Sequence, residues 1–250
     1  MPVRSEVRQL ADGVLHVVTL DRPDARNALD TASTAELVDV LDDADRDAEL
    51  RGVLVTGAGG VFCAGADVRE AAEDGGRRRM ELLTVLYEQL THLRVPTAAA
   101  IEGPAVGGGA ELAGACDLRV AATSATFRFP GASFGVPIGT ARTVGQVGLS
   151  VAKDWVLSGR DVPAAEAESR GFVQRLVPDG QAVHNAITWL EQVAGRDPAT
   201  IALLKRLFDD HGGVRDRVAF ENDLLRSQAE TGALPSLDHD LPTTVRPRRR

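Results

Sequence analysis

The chain has 250 residues, 44% hydrophobic and 26% charged, as expected of a globular protein long enough to bury a sizeable core. A net charge of −8 and a pI near 5.2 argue against nucleic-acid binding, and no apolar run reaches the length of a membrane span. Two cysteines, Cys63 and Cys116, and five scattered histidines give neither a disulfide framework nor a metal-ligand spacing, so no metal site is expected and a reducing, cytoplasmic setting is the simplest reading.

The N-terminal stretch "MPVRSEVRQL" carries charges where a signal peptide would need an apolar run. "VLHVVTL" (Val14 to Leu20) follows the Asp12-Gly13 turn and predicts a strand. "DTASTAELVDVLDDADRD" (Asp30 to Asp47) predicts an amphipathic helix with Leu37, Val40, Leu41 and Ala44 on one face. "GVLVTG" (Gly52 to Gly57) predicts a buried strand, and "RMELLTVLYEQLTHL" (Arg79 to Leu93) a helix closed by Pro96. "TAAAIEG" (Thr97 to Gly103) predicts a strand, a glycine run opens a small-residue helix to Ala115, and "DLRVAA" (Asp117 to Ala122) predicts another strand. The second half reads as helices at roughly 141–158, 163–170, 181–194, 198–210 and 214–229, with a short strand near Phe172 to Val177. Strands alternating with helices and then a helical C-terminal part predict an α/β fold. The terminal "RPRRR" reads as a solvated tail.

Two glycine-rich segments sit where strands end: "GAGGVFCAGADV" (Gly57 to Val68) and "EGPAVGGGAELAGACDLRV" (Glu102 to Val120). In the second, three glycines precede a helix. Glycine lets backbone approach a ligand, and a helix start offers unpaired N–H groups, a combination suited to an oxyanion. Glu111 follows Gly108 by three residues, one helical turn along the same face, where a carboxylate could move protons beside a developing enolate. Such runs also serve as plain tight turns, and a glutamate near a helix start also serves as a surface residue favoured by the dipole.

Four patches together resemble the crotonase superfamily, also called enoyl-CoA hydratase/isomerase: "LDRPDARNALD" (Leu20 to Asp30), "VFCAGADV" (Val61 to Val68), "GPAVGGGAELAGACDLRVA" (Gly103 to Ala121) and "SGRDVPAAEAESRGFVQRLVP" (Ser158 to Pro178). The resemblance implies a spiral of ββα turns over about residues 1–195, then a C-terminal helical oligomerisation region and basic tail over 196–250. It implies an acyl-CoA thioester as substrate, with coenzyme A as part of that substrate and no separate cofactor, in the setting of fatty-acid metabolism. It implies an oxyanion hole from the N–H groups of Ala66 and Gly108, and Glu111 as acid/base. Arg26, Ala64, Asp67, Val68, Arg69 and Lys205 are the implied CoA and substrate contacts, although Arg69 reads equally as a solvated arginine. A homotrimer or dimer of trimers is expected, supported by the apolar surplus of Leu203, Leu204, Leu207 and Phe208.

The resemblance also exposes a departure. The family's hydratases carry a second glutamate after a proline that matches Pro130, and here the next residue is Gly131. Losing a positioned acid costs roughly 10²–10⁴-fold in rate. Glu70, Glu73 and Asp74 are candidate replacements in a variable segment. Alternatively Gly131 and Phe134 line an acyl pocket, or glycine stands there because of a positive φ. The function expected is an enolate-stabilising enzyme of the hydratase/isomerase type. The alternatives are a weakly or non-catalytic acyl-CoA-binding protein, or another reaction of the fold such as decarboxylation or thioester hydrolysis. "GASFG" (Gly131 to Gly135) matches the serine-hydrolase G-x-S-x-G, with Ser133 as nucleophile, but Pro137 and Gly139 argue against the helix such an elbow requires.

Overall fold

The computed structural model describes residues 1–70, 74 and 76–231. Glu73, one of the candidate replacement acids, and the basic tail lie outside the described residues. The chain begins with a hairpin, β1 (Val3–Leu10) and β2 (Gly13–Leu20). Helix α1 (Thr31–Arg46) follows, capped by Asp30, whose carboxylate accepts the Ser33 N–H at 2.7 Å while Ser33 Oγ accepts the Asp30 N–H. Then come β3 (Leu50–Gly57), α2 (Arg77–His92), β4 (Thr97–Ile101), β5 (Pro104–Val106), α3 (Gly108–Ala115), β6 (Leu118–Ala122) and β7 (Thr126–Arg128). The C-terminal half holds α4 (Thr143–Val147), α5 (Leu149–Ser158), β8 (Val162–Pro163), α6 (Ala164–Ser169), β9 (Arg175–Val177), α7 (Ala182–Ala194), α8 (Pro198–Gly212) and α9 (Val214–Glu230).

Six strands form one sheet in the order β1-β2-β3-β4-β6-β9, antiparallel only in the first hairpin. Strands β5, β7 and β8 form a second, small sheet. One face of the large sheet is covered by α7 through Leu15, Leu54, Ala98, Val120, Ala186 and Leu190. The other face packs on α1, α2, α3 and the small sheet through a larger core that includes Leu37, Leu86, Phe127, Trp155 and Phe172. Parallel strands covered on both faces read as unbroken apolar runs, which is why β3, β4 and β6 were visible in the sequence.

The N-terminal segment, to which the sequence reading assigned no element, is strand β1, whose side chains beyond Val3 are mostly exposed. It is an edge strand, where charges belong. Two expectations need correction. The helix expected at 141–158 is two helices, because Gly148 at φ 80° leaves the helical region between them. The strand expected at Phe172 to Val177 is confined to Arg175–Val177, since Phe172 and Val173 N–H groups return to Ala167 O in the preceding helix's terminus.

Candidate active site

A cavity of about 380 Å³ opens between the start of α3, the 64–69 segment, the N-terminal half of α2 and the 130–138 loop. The 61–67 segment is fixed from both sides. Leu29 N–H donates to Gly65 O, Asp67 N–H donates to Leu29 O, and Val106 N–H donates to Cys63 O. Buried Asn27 staples the same region, donating to Ala58 O at 2.9 Å and Val61 O at 2.7 Å while accepting the Arg22 N–H. The "RPDARNAL" stretch is therefore held against "GAGGVF" by a side chain whose role the sequence did not reveal.

Ala66 and Gly108 both line the cavity, and a methyl built on Gly108 would lie 3.5 Å from Ala66 N. Neither N–H has a hydrogen-bond acceptor among the described residues. Gly108 is the first residue of α3, so its free amide is one of the orphan donors of a helix start. Two adjacent unpaired amides on a cavity wall can hold an oxyanion.

Of the other sequence-derived residues, Arg26, Ala64, Asp67, Val68, Arg69, Gly131 and Phe134 all lie on this wall. Asp67 is not a free carboxylate: it takes Arg22 Nη2 at 3.2 Å, and the same arginine holds Asp30 at 2.9 Å. Two residues are not brought to the cavity. Lys205 Nζ is spent on Asp117 Oδ2 at 2.5 Å and Val95 O at 2.8 Å, on another face of the chain. Glu111 is buried behind the wall, with Oε2 on Arg142 Nη1 at 3.1 Å.

The reason lies in Tyr87. A methyl on Gly108 would meet the Tyr87 hydroxyl at 2.7 Å, so the α3 face that Gly108 shares with Glu111 is covered by that ring. Tyr87 is among the residues lining the cavity, and its Oη donates to Gly108 O at 3.1 Å. The Arg142 guanidinium lies over the ring, 5.5 Å from its centroid. Burial pushes the Tyr87 hydroxyl well above its usual 10, and the nearby Glu111 charge adds to this. Burial likewise raises the Glu111 carboxyl to about 7, with Glu221 adding repulsion, although Arg142 opposes the shift. Glu221 on α9 holds the turn that carries Arg142, its Oε2 accepting from Thr140 N, Thr140 Oγ1 and Ala141 N at 2.7 to 3.0 Å.

Gly131 does not stand at an open, vacated acid position. A Cβ there would lie 2.6 Å from Val136 O and 3.0 Å from Ile138 Cγ2, so the following loop fills the space. Its φ is not positive, which corrects the backbone explanation offered by the sequence. Ser133 sits exposed in a single 3₁₀ turn, not before an α-helix, so the hydrolase motif has no elbow. Among the described residues no cluster of three His, Cys, Asp or Glu could hold a metal.

Sequence reasoning missed Tyr87, Arg79, Arg128 and Arg142. Tyr87 is the chain's one tyrosine, but its position on an amphipathic helix reads as core, and it is indeed buried. Arg79 lines the cavity and bonds Asp67 O and Glu70. Arg128 follows apolar Phe127 on β7, where strand alternation turns it to the other face, and that period is the one signal that could have found it.

Comparison with known proteins agrees with this architecture. The family model for enoyl-CoA hydratase/isomerase matches residues 11–226. The enoyl-CoA hydratase EchA19 of Mycobacterium tuberculosis is 35% identical over 218 residues, covering 83% of this chain and 81% of that protein. The short-chain-enoyl-CoA hydratase of Clostridium acetobutylicum is 33% identical, covering 78% of this chain and 77% of its own. Among solved structures, a monofunctional enoyl CoA isomerase from M. smegmatis superposes with a TM-score of 0.73 at 32% identity, covering 85% of this chain and 94% of that one. An enoyl-CoA hydratase/isomerase from Xanthobacter autotrophicus gives a TM-score of 0.80 at 28% identity, covering 93% and 89%.

Proposed function

Since the chain belongs to the enoyl-CoA hydratase/isomerase family and has its crotonase fold, we propose that it binds acyl-CoA thioesters in this cavity and carries them through an enolate held by the Ala66 and Gly108 amides. The observation that carries the reading is the pair of unpartnered N–H groups on one wall. An enolate oxygen between them gains charge as the reaction proceeds, and preorganised donors of this kind are worth about 10²–10³-fold each in rate. Exposed Arg26 and Arg69 at the rim, with no ion-pair partner among the described residues, suit the phosphates of coenzyme A.

Two-glutamate hydration is not what this cavity supports. Position 131 has no room for a carboxylate, and Glu111 reaches Arg142 rather than the lumen. A carboxyl at about 7 is well poised for proton transfer, which supports the acid/base role implied by the resemblance. Its placement supports a different one: Glu111 positions Arg142 over Tyr87. Comparing wild type with Glu111→Gln on crotonyl-CoA and other thioesters separates the two. A positioning role predicts less than about tenfold loss on the best substrate, and a loss of about 10²–10⁴-fold restores Glu111 as the acid/base. The missing lumen carboxylate also favours a second reading, an acyl-CoA-binding protein with little catalysis. Binding without turnover of any enoyl, dienoyl or malonyl thioester would establish it.

A further inference from the structure

The Ala66 amide owes its direction to Leu29. A peptide unit is planar and trans, so the N–H of one residue points opposite to the C=O of the residue before it. Leu29 N–H donates to Gly65 O at 2.8 Å, Asp67 N–H donates to Leu29 O at 2.9 Å, and Leu29 and Ala66 form an isolated parallel bridge. With Gly65 O turned to Leu29, the Ala66 N–H is turned away from it, and Ala66 lies on the cavity wall. A bridge of one residue pair has no ladder of its own to keep its register. One side chain spans it instead. Arg22 Nη1 donates to Ala28 O at 2.6 Å, and Nη2 holds Asp30 Oδ2 at 2.9 Å and Asp67 Oδ2 at 3.2 Å. Ala28 and Asp30 flank Leu29, and Asp67 follows Ala66, so a single guanidinium grips both sides of the bridge. The loop leading from Arg22 to the bridge is not relaxed backbone. Arg26 and Asn27 both stand at φ 55°, and the Arg22 N–H and C=O bond the Asn27 side chain and N–H.

Resting on the enolate reading above, we propose that Arg22 is a positioning residue of the reaction: it sets the register of Leu29 against Ala66 and so aims the Ala66 N–H at the thioester oxygen. Arg22 does not line the cavity and acts through Asp67, which does. The planar fork of a guanidinium reaches three acceptors at once, where an ammonium would be a point charge on one of them. The remaining bonds of Asp67 hold it in the same place. Its Oδ1 accepts the Arg69 N–H at 3.1 Å, and its carbonyl accepts Arg79 Nη1 at 3.1 Å. A free carboxylate one residue from an oxyanion donor would oppose the charge that develops there. Paired with Arg22, the same carboxylate becomes the handle by which the donor is held. Preorganised donors act only while their geometry is kept, and a displacement of about 1 Å can cost about 10²-fold in rate.

The test uses butyryl-CoA labelled with ¹³C at the thioester carbonyl, whose resonance moves downfield when donors polarise the C=O bond. Wild type should bind it and shift the resonance. Arg22→Gln should bind it within about threefold of wild type and shift the resonance about half as far or less. Its turnover of the best thioester substrate should fall about 10–10²-fold at unchanged KM, because the lost interaction is strongest in the transition state. Arg22→Lys keeps the charge but not the fork and should lie nearer to Arg22→Gln than to wild type. Asp67→Asn gives up the ion pair from the other side, and it carries the test if neither Arg22 variant folds. It too should shift the resonance less at unchanged affinity, and the double variant Arg22→Gln/Asp67→Asn should be no worse than Arg22→Gln alone. Failure of the wild type to bind butyryl-CoA overturns the thioester reading, and binding with an unshifted carbonyl overturns the oxyanion reading. A wild-type shift that persists in full in Arg22→Gln, Arg22→Lys or Asp67→Asn overturns the role of Arg22 and leaves both of those readings standing.

Discussion

At position 131 the chain differs from a two-glutamate hydratase by more than one side chain. Because Val136 O would lie 2.6 Å from a Cβ there, Gly131→Glu should give no gain in crotonyl-CoA hydration and should lower stability by roughly 1–3 kcal/mol, the usual cost of overpacking. Chemical denaturation and a hydration assay on the one variant check this, and a clear gain in hydration with stability intact would refute it. Glu111 makes a separate prediction. Its folded carboxyl, near 7, binds a proton more tightly than the unfolded carboxyl near 4.5. The stability it contributes is complete below the lower value and is lost as pH rises through the upper one, an effect on the order of 3 kcal/mol. Urea midpoints at about pH 5 and about pH 8 should differ more for wild type than for Glu111→Gln, and equal differences would show that Glu111 does not titrate in this window. Of the cavity-lining residues, Gly108 was legible in the spacing itself, because a glycine run before a helix advertises backbone, whereas Ala66, Arg26 and the other wall residues came only through the family resemblance. Tyr87 and Arg142 meet through side-chain packing across separate elements, and no local spacing encodes that.

The elements differ in legibility for physical reasons. Strands β3, β4 and β6 are buried on both faces and so stood out as apolar runs, whereas β5, β7 and β8 are two or three residues long and have no period to read. Helix α1 was visible through the apolar stripe of Leu37, Val40, Leu41 and Ala44, while its Asp30 cap emerged only in the structure. The role of α9 was not. It is mostly polar outside Val218, Leu225 and Ala229, yet it buries Glu221 against the 139–142 turn. Replacing Glu221 with Ala leaves the buried Ala141 N–H and two donors of the exposed Thr140 without their acceptor and should cost roughly 1–3 kcal/mol. Amide hydrogen exchange should accelerate at Thr140 and Ala141 before it does in the large sheet. Unchanged protection there would show that α9 does not hold the turn.

At the scale of the whole molecule, α8 has no buried residue, and it leaves Leu203, Leu204, Leu207 and Phe208 exposed, Phe208 by 73%. These are the residues whose apolar surplus the sequence singled out, and the core formed by the described residues does not cover them. A patch of this kind suits a subunit contact, and we propose the homotrimer or dimer of trimers that the family resemblance implies. Light scattering should give a trimer or hexamer mass for wild type and a smaller species for Leu204→Asp/Phe208→Asp. A wild-type monomer at micromolar concentration would remove the interface from the account.

The hold of α9 on the turn also orders events in time. Thr140 and Glu221 are 81 residues apart in the chain, and Glu221 lies close to the last described residue. A ribosome adding about 5–20 residues per second delivers Ala66, Tyr87, Gly108 and Arg142 seconds before it delivers Glu221. The 139–142 turn therefore takes its final form only after α9 has been made and has closed over it.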